Sequence, residues 1–288
     1  MSQENSLDME QMTSAVIKAV QSCVWNYPTY NLSTEYQNYV RNSRAKEANN
    51  PLLRKGRKFF SQNDEDGILL EILKRIEISK NKKYPTFIEF GVESGLECNS
   101  IILLMHGWCG AWVGGSDLAF QIPNPSRLHY SKNWVTLDNI MTIYNESLAA
   151  LNTDSFDFLS MDLDGNDYHF LKAIVDAGHR PKVIIAEYNA KFPPPINFTI
   201  KYDDAHIFNS DYFGASLQTL NNLFAPNGYF LVACNITGSN CFFVDNQFQS
   251  AFTDIPSTID EIFIPALYGI VTRVGHPVSP KTICSFIE

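Results

Sequence analysis

The stretch TFIEFGVESG, Thr86 to Gly95, decides the fold. A run of β-formers ends at Glu89 and Phe90, and two glycines four residues apart follow. Gly91 permits a tight turn, and Gly95 lets a ligand approach the backbone closely. A side chain at position 91 is expected to intrude on that ligand. A strand, a glycine turn and then a helix beginning near Glu97 form the opening unit of an open parallel sheet. In such sheets ligands bind beyond the carboxyl ends of the strands. The spacing Glu89-x-Gly91-x-x-x-Gly95 is not the GxGxxG that seats a pyrophosphate on a helix N-terminus. Glu93, inside the loop, would repel a pyrophosphate and suits a cationic or zwitterionic ligand.

Outward from this segment, short apolar runs alternate with helical patterns. Strands are expected at 86–90, 111–115, 133–137, 156–161, 182–187, 228–234 and 241–245, and helices near 97–106, 143–151, 167–178 and 214–225. This alternation predicts an α/β fold with a mainly parallel sheet and helices on both faces. GYFLVACN and NCFFVDN have no helix between them, so they should pair antiparallel through the turn Ile236–Ser239 as a terminal hairpin. Upstream, SQNDEDGILLEILKRIE predicts a helix, with Ser61 and Asp64 spaced as a capping box. Residues 1–58 read as an accessory region, helical from Met12 to Cys23 and polar from Asn38 to Asn50, and residues 59–288 as the main domain.

Composition bounds the function. The 288 residues are 45% hydrophobic and 13% aromatic, enough for a sizeable core. A formal charge of -9 argues against bulk electrostatic capture of nucleic acid. The basic cluster Arg54-Lys55-Gly56-Arg57-Lys58 reads as a solvated connector. Six cysteines without CxxC spacing suggest reduced thiols and a cytoplasmic protein. No apolar run approaches the roughly 20 residues of a spanning helix. The oligomeric state, including a homo-oligomer, stays open.

FDFLSMDLDGNDYHF carries the densest polar group attached to a strand. Asp162, Asp164, Asn166 and Asp167 should emerge at its carboxyl end, and Glu187 and Asn189 at the end of the next strand. At least one of Asp164 and Asp167 should cap the following helix, and at least one should face a pocket. Such a carboxylate group requires neutralising partners or a metal. Hard oxygen donors suit Mg²⁺ or Mn²⁺, with Asp164, Glu187 and Asn189 as the ligand set.

Taken in order, SQNDEDGIL, FIEFGVESGLECN, SMDLDGNDY, IIAEYN and DYFGASLQTLNNL…GYFLVACNITGSNCFFV resemble the FkbM-type class I S-adenosylmethionine-dependent methyltransferases, over about Phe60 to Asp245. The resemblance implies a Rossmann-like methyltransferase fold, S-adenosylmethionine as donor and O-methylation of a sugar or similar hydroxyl. It carries Glu89, Gly91 and Gly95 over as the cofactor loop, with Glu93 inside it, and Asp162, Asp164 and Glu187 as the acidic pocket. Asp117 stands where class I methyltransferases hold the ribose hydroxyls, displaced from the usual position, and a helix-capping role suits it equally. Asp138 and Asn139 suit adenine, or form an Asx turn.

The segment from Phe192 to Gly214 should overhang the carboxyl-end face. Asp203, Asp204, Asp211 and Tyr212 there suit a small carbohydrate-like acceptor, with no nucleic-acid stacking stripe. His206, His169 or a carboxylate such as Asp164 would act as base if no metal does. The competing readings are an NAD-dependent sugar-nucleotide oxidoreductase and a non-catalytic binding protein on the same fold.

Overall fold

The computed structural model describes residues 49–78, 84–122 and 124–267. The helical pattern expected from Met12 to Cys23, most of the polar stretch after Asn38, and Cys284 lie outside the described residues.

Seven strands form one sheet: β1 (Thr86–Phe90), β2 (Cys109–Gly114), β3 (Leu128–Lys132), β4 (Phe158–Met161), β5 (Val183–Glu187), β6 (Tyr229–Cys234) and β7 (Asn240–Asp245). Their order is β3-β2-β1-β4-β5-β7-β6. The first five run parallel, and β7 pairs antiparallel with both β5 and β6. The sheet is therefore Rossmann-like, mainly parallel, and closed at one side by the hairpin expected from the sequence.

Period-two alternation splits the core into two layers. Ile88, Phe90, Val113, Leu159, Met161, Ile184 and Phe243 point to one face. They meet α3 (Ile140–Ala150), α4 (Asp167–Asp176) and α5 (Leu217–Phe224) there. Phe87, Trp112, Phe158, Ile185 and Phe242 point to the other face. They meet α1 (Glu65–Arg75) and α2 (Ile101–Met105), with Ile68, Leu69, Ile72 and Leu73 forming the apolar stripe of α1. Such a stripe stabilises by about 1.5–3 kcal/mol per fully buried large side chain. Leu52 and Leu53 join this second layer, and the Asn50 side chain donates to the Val232 carbonyl at 2.7 Å.

Two local expectations give way. The third strand is Leu128–Lys132 rather than 133–137. It is the edge strand and only half buried, so its pairing with β2 defines it more than an apolar pattern does. The more apolar NWVTL is a loop, with Trp134 exposed and Val135 buried. The capping box is also absent. The hydroxyl of Ser61 donates to Asp66, whose Oδ2 also accepts from the amides of Phe59, Phe60 and Ser61 at 2.7–2.9 Å. Asp66 therefore holds the turn that leads into α1. The Arg54–Lys58 cluster is largely exposed, as a connector should be. Among the described residues no helix is long and apolar enough to cross a membrane.

Candidate functional site

The strand order reverses direction between β1 and β4, and open α/β sheets bind ligands at that switch point. A cavity of about 280 Å³ lies there, lined by Glu89 in β1 and the loop after that strand, by the loop after β4, by Glu187 at the end of β5, by Ser239 and Asn240 at the start of β7 and by Gln62 before α1. Six of its lining residues are carboxylates (Glu89, Glu93, Glu97, Asp162, Asp164 and Glu187), and among the described residues no lysine or arginine lines it. A larger cavity of about 650 Å³ lies beyond the edge strand β6, but among the described residues no carboxylate, histidine, lysine or arginine lines it. The chemistry therefore concentrates at the smaller one.

Asp162, Asp164 and Glu187 each bring a carboxylate oxygen within 4.8 Å of the other two. Backbone conformation helps place them. Asp164 has φ +53° and Glu93 φ +42°, in the left-handed region that non-glycine residues enter at a cost. Asp167 sustains the first of these turns: its carboxylate accepts from the Leu163 amide at 2.7 Å and the Gly165 amide at 2.9 Å. So Asp167 organises the loop before α4 where a helix cap was expected, and the helix has no side-chain cap, while Asp164 lines the cavity.

The electrostatics follow from burial and crowding. Burial, reinforced by the charges of Asp167 and Glu93, raises Asp164 to about 6. Burial and the neighbouring carboxylates hold Asp162 and Glu187 well above the usual carboxylate range. Burial raises Glu89 to about 7, against hydrogen bonds from Ser100 and Asn99 that favour its charged form. Oε2 of the buried Glu187 has no hydrogen-bond partner among the described residues.

Several expected site residues have other employment. Glu89 lines the cavity, but its carboxylate accepts from the Asn99 and Ser100 amides at 2.8 and 2.9 Å and from the Ser100 hydroxyl, anchoring the entry to α2. Gly91 is required by packing: an added Cβ would lie 1.5 Å from the Asp162 carbonyl oxygen, so a side chain there strikes β4's end before any ligand. A Cβ on Gly95 would meet Leu118, Trp112 and Phe120, which close that side of the loop. Asn189 is not with the acids. Its amide donates to the carbonyls of Asp211 and Phe213 and accepts from the Lys191 amide, so Asp162 takes its place in the candidate ligand set.

Asp117 is highly exposed and bonds Lys132 Nζ at 2.7 Å. Asn139 serves the loop after β3, accepting from the Thr136 amide and donating to the Trp134 carbonyl, while Asp138 is exposed beside it. In the overhanging segment, Asp211 is fully buried 3.5 Å from Lys191, and Tyr212 packs among Phe192, Phe198 and Ile200. Those two build the segment's own small core and do not face a substrate. Asp203 and Asp204 are exposed. Asp203 exchanges backbone contacts with the Asn166 side chain, and the Asp204 carbonyl accepts from Trp134 Nε1 at 2.8 Å. His206 sits against Gly165, where an added Cβ would lie 2.5 Å from its ring. His169 Nε2 lies 2.9 Å from the Ile200 carbonyl. Residues 200–206 thus bridge the loops after β3 and β4.

Gln62, Ser94, Asn99, Ser239 and Asn240 line the cavity without having been singled out in the sequence. A signal existed for the last two: a hairpin pairing antiparallel beside β5 must start β7 at the end where β5 finishes, opposite Glu187.

No protein-family model and no curated protein sequence matches the chain. Solved structures similar to it in chain course include a protein described as a hemolysin from Lactococcus lactis, at 12% identity and TM-score 0.39, covering 62% of this chain and 86% of that one. Human N-acetylserotonin methyltransferase, solved in complex with S-adenosylmethionine, is similar at 10% identity and TM-score 0.33, covering 75% and 68%. An O-methyltransferase family protein from Burkholderia thailandensis is similar at 10% identity and TM-score 0.34, covering 73% and 69%.

Proposed function

We propose that this chain is an S-adenosylmethionine-dependent O-methyltransferase acting on a hydroxyl of a small, polar, carbohydrate-like acceptor. One observation carries the reading: a switch-point cavity with six lining carboxylates and, among the described residues, no lining lysine or arginine. Pyrophosphate would meet uncompensated repulsion there, which disfavours a nicotinamide dinucleotide. A sulfonium with an α-ammonium group suits the same walls. When bound, S-adenosylmethionine supplies an electrophilic methyl group.

In this reading Glu93 and Asp162 hold the donor's cationic end, and Glu89 and Gly91 keep the loop in shape for it. Asp117, in the loop after β2, serves the ribose by exchanging Lys132 for the sugar, and Asp138, in the loop after β3, serves the adenine. Asp164, raised to about 6, is ionised at neutral pH and accepts the proton of the acceptor hydroxyl. Asp203, Asp204 and His206 form the acceptor's rim. The unpartnered Glu187 Oε2 and its two acidic neighbours also fit a hard divalent cation, which would lower a hydroxyl's pKa and orient it.

Calorimetry tests the reading. S-adenosylmethionine and S-adenosylhomocysteine should bind and NAD should not. Binding of NAD, with none of either sulfur nucleoside, would overturn it.

A further inference from the structure

Asn240 opens β7, is 2% exposed, and lies directly opposite Glu187 in the antiparallel register, so the two side chains share a face. Its Nδ2 donates to Glu65 Oε1 at 3.2 Å. Its Oδ1 has no partner among the described residues although it is buried, and the residue lines the acidic cavity. Glu65 is itself fully buried at the start of α1. Its carboxylate also accepts from Asn235 Nδ2 at 2.6 Å and from the Asn63 amide at 2.9 Å. A carboxylate can only accept, so the Asn240 amide must turn its nitrogen toward Glu65 and its oxygen away. Glu187 Oε2 and Asn240 Oδ1 are therefore two buried acceptor oxygens without a partner among the described residues, carried by residues that line one cavity from paired positions.

We infer that Asn240 Oδ1 is a neutral fourth oxygen of a divalent-cation site formed with Asp162, Asp164 and Glu187, and that Glu65 is the positioning residue that aims it. Carboxylate and amide oxygens without histidine or cysteine select a hard cation such as Mg²⁺, Mn²⁺ or Ca²⁺. Leaving a buried carbonyl oxygen unpaired is costly, and a cation removes that cost. The inference rests on the cation reading of the acidic triad and is independent of methyl transfer.

Titration of the full chain with Mn²⁺, followed by electron paramagnetic resonance, tests it. Wild-type protein should bind Mn²⁺ saturably and release it to excess Mg²⁺. Asn240→Leu should weaken Mn²⁺ at least about tenfold, as loss of a supporting oxygen or its orienting partner does. Glu65→Gln should do the same by letting the Asn240 amide turn over. The double variant Glu65→Gln/Asn240→Asp reverses the donor and acceptor of that hydrogen bond, keeps the net charge and presents an oxygen in either orientation. It should restore binding, which a general loss of packing would not allow. Unchanged affinity in Asn240→Leu overturns the ligand assignment, and a double variant as weak as Glu65→Gln overturns the positioning role. Absence of saturable Mn²⁺ binding to wild type overturns the cation site, whatever the outcome with S-adenosylmethionine.

Discussion

A Gly91→Ala substitution would place its Cβ 1.5 Å from the Asp162 carbonyl oxygen and 2.6 Å from its carbon, against backbone rather than a flexible side chain. Relief requires the end of β1 to part from the end of β4, where the Asp162 amide donates to the Phe90 carbonyl at 3.2 Å. Position 91 also has φ +91°, a conformation that costs an L-residue about 1–2 kcal/mol. Forced overpacking adds about 1–3 kcal/mol or more. Together these give a loss of about 2–5 kcal/mol, a large part of a typical domain's stability. Gly178 supplies the control, because its φ is +89° and nothing lies within 4 Å of an added Cβ. Gly178→Ala should show the conformational part alone. Denaturant titration of both variants isolates the steric part as a difference of about 1–3 kcal/mol. Equal losses would refute the packing role of Gly91 and return it to a ligand-facing position.

The Glu89 carboxyl is raised to about 7 by burial, above the ~4.3 of an unfolded chain. Its contribution is therefore fully present below about pH 4 and lost as the pH rises through about 7, up to about 4 kcal/mol over that window. In chelator, stability measured against pH should fall less steeply in Glu89→Gln than in wild type, and parallel profiles would contradict this. The Tyr202 hydroxyl accepts from the Leu137 amide at 2.6 Å and donates to the Asp204 carboxylate. Tyr202→Phe should remove about 1 kcal/mol of local protection and speed hydrogen exchange at the Leu137 amide about fivefold. An unchanged exchange rate would mean that the bridge over the β3 loop is not held there.

The sequence by itself determined the strand–helix alternation, the terminal hairpin and the height at which Glu89, Asp162, Asp164 and Glu187 meet. Strands buried on both faces must be continuous apolar runs, and the polar residue that ends each run marks the carboxyl edge of the sheet. The edge strand β3 escaped that logic because half-burial leaves a weak apolar signal, and Asp138 and Asn139, expected just past the strand's end, lie further along the loop after it. Only the tertiary structure decided what each polar side chain does there. Asn189 and Asp211 read like ligands but pin a loop, while Asn240 and Glu65 read like ordinary turn and helix residues but meet at the cavity. Periodicity along a chain reports which face a residue occupies. The partner of an amide or a carboxylate is set by segments far apart in sequence, 175 residues for Asn240 and Glu65, that only packing brings together.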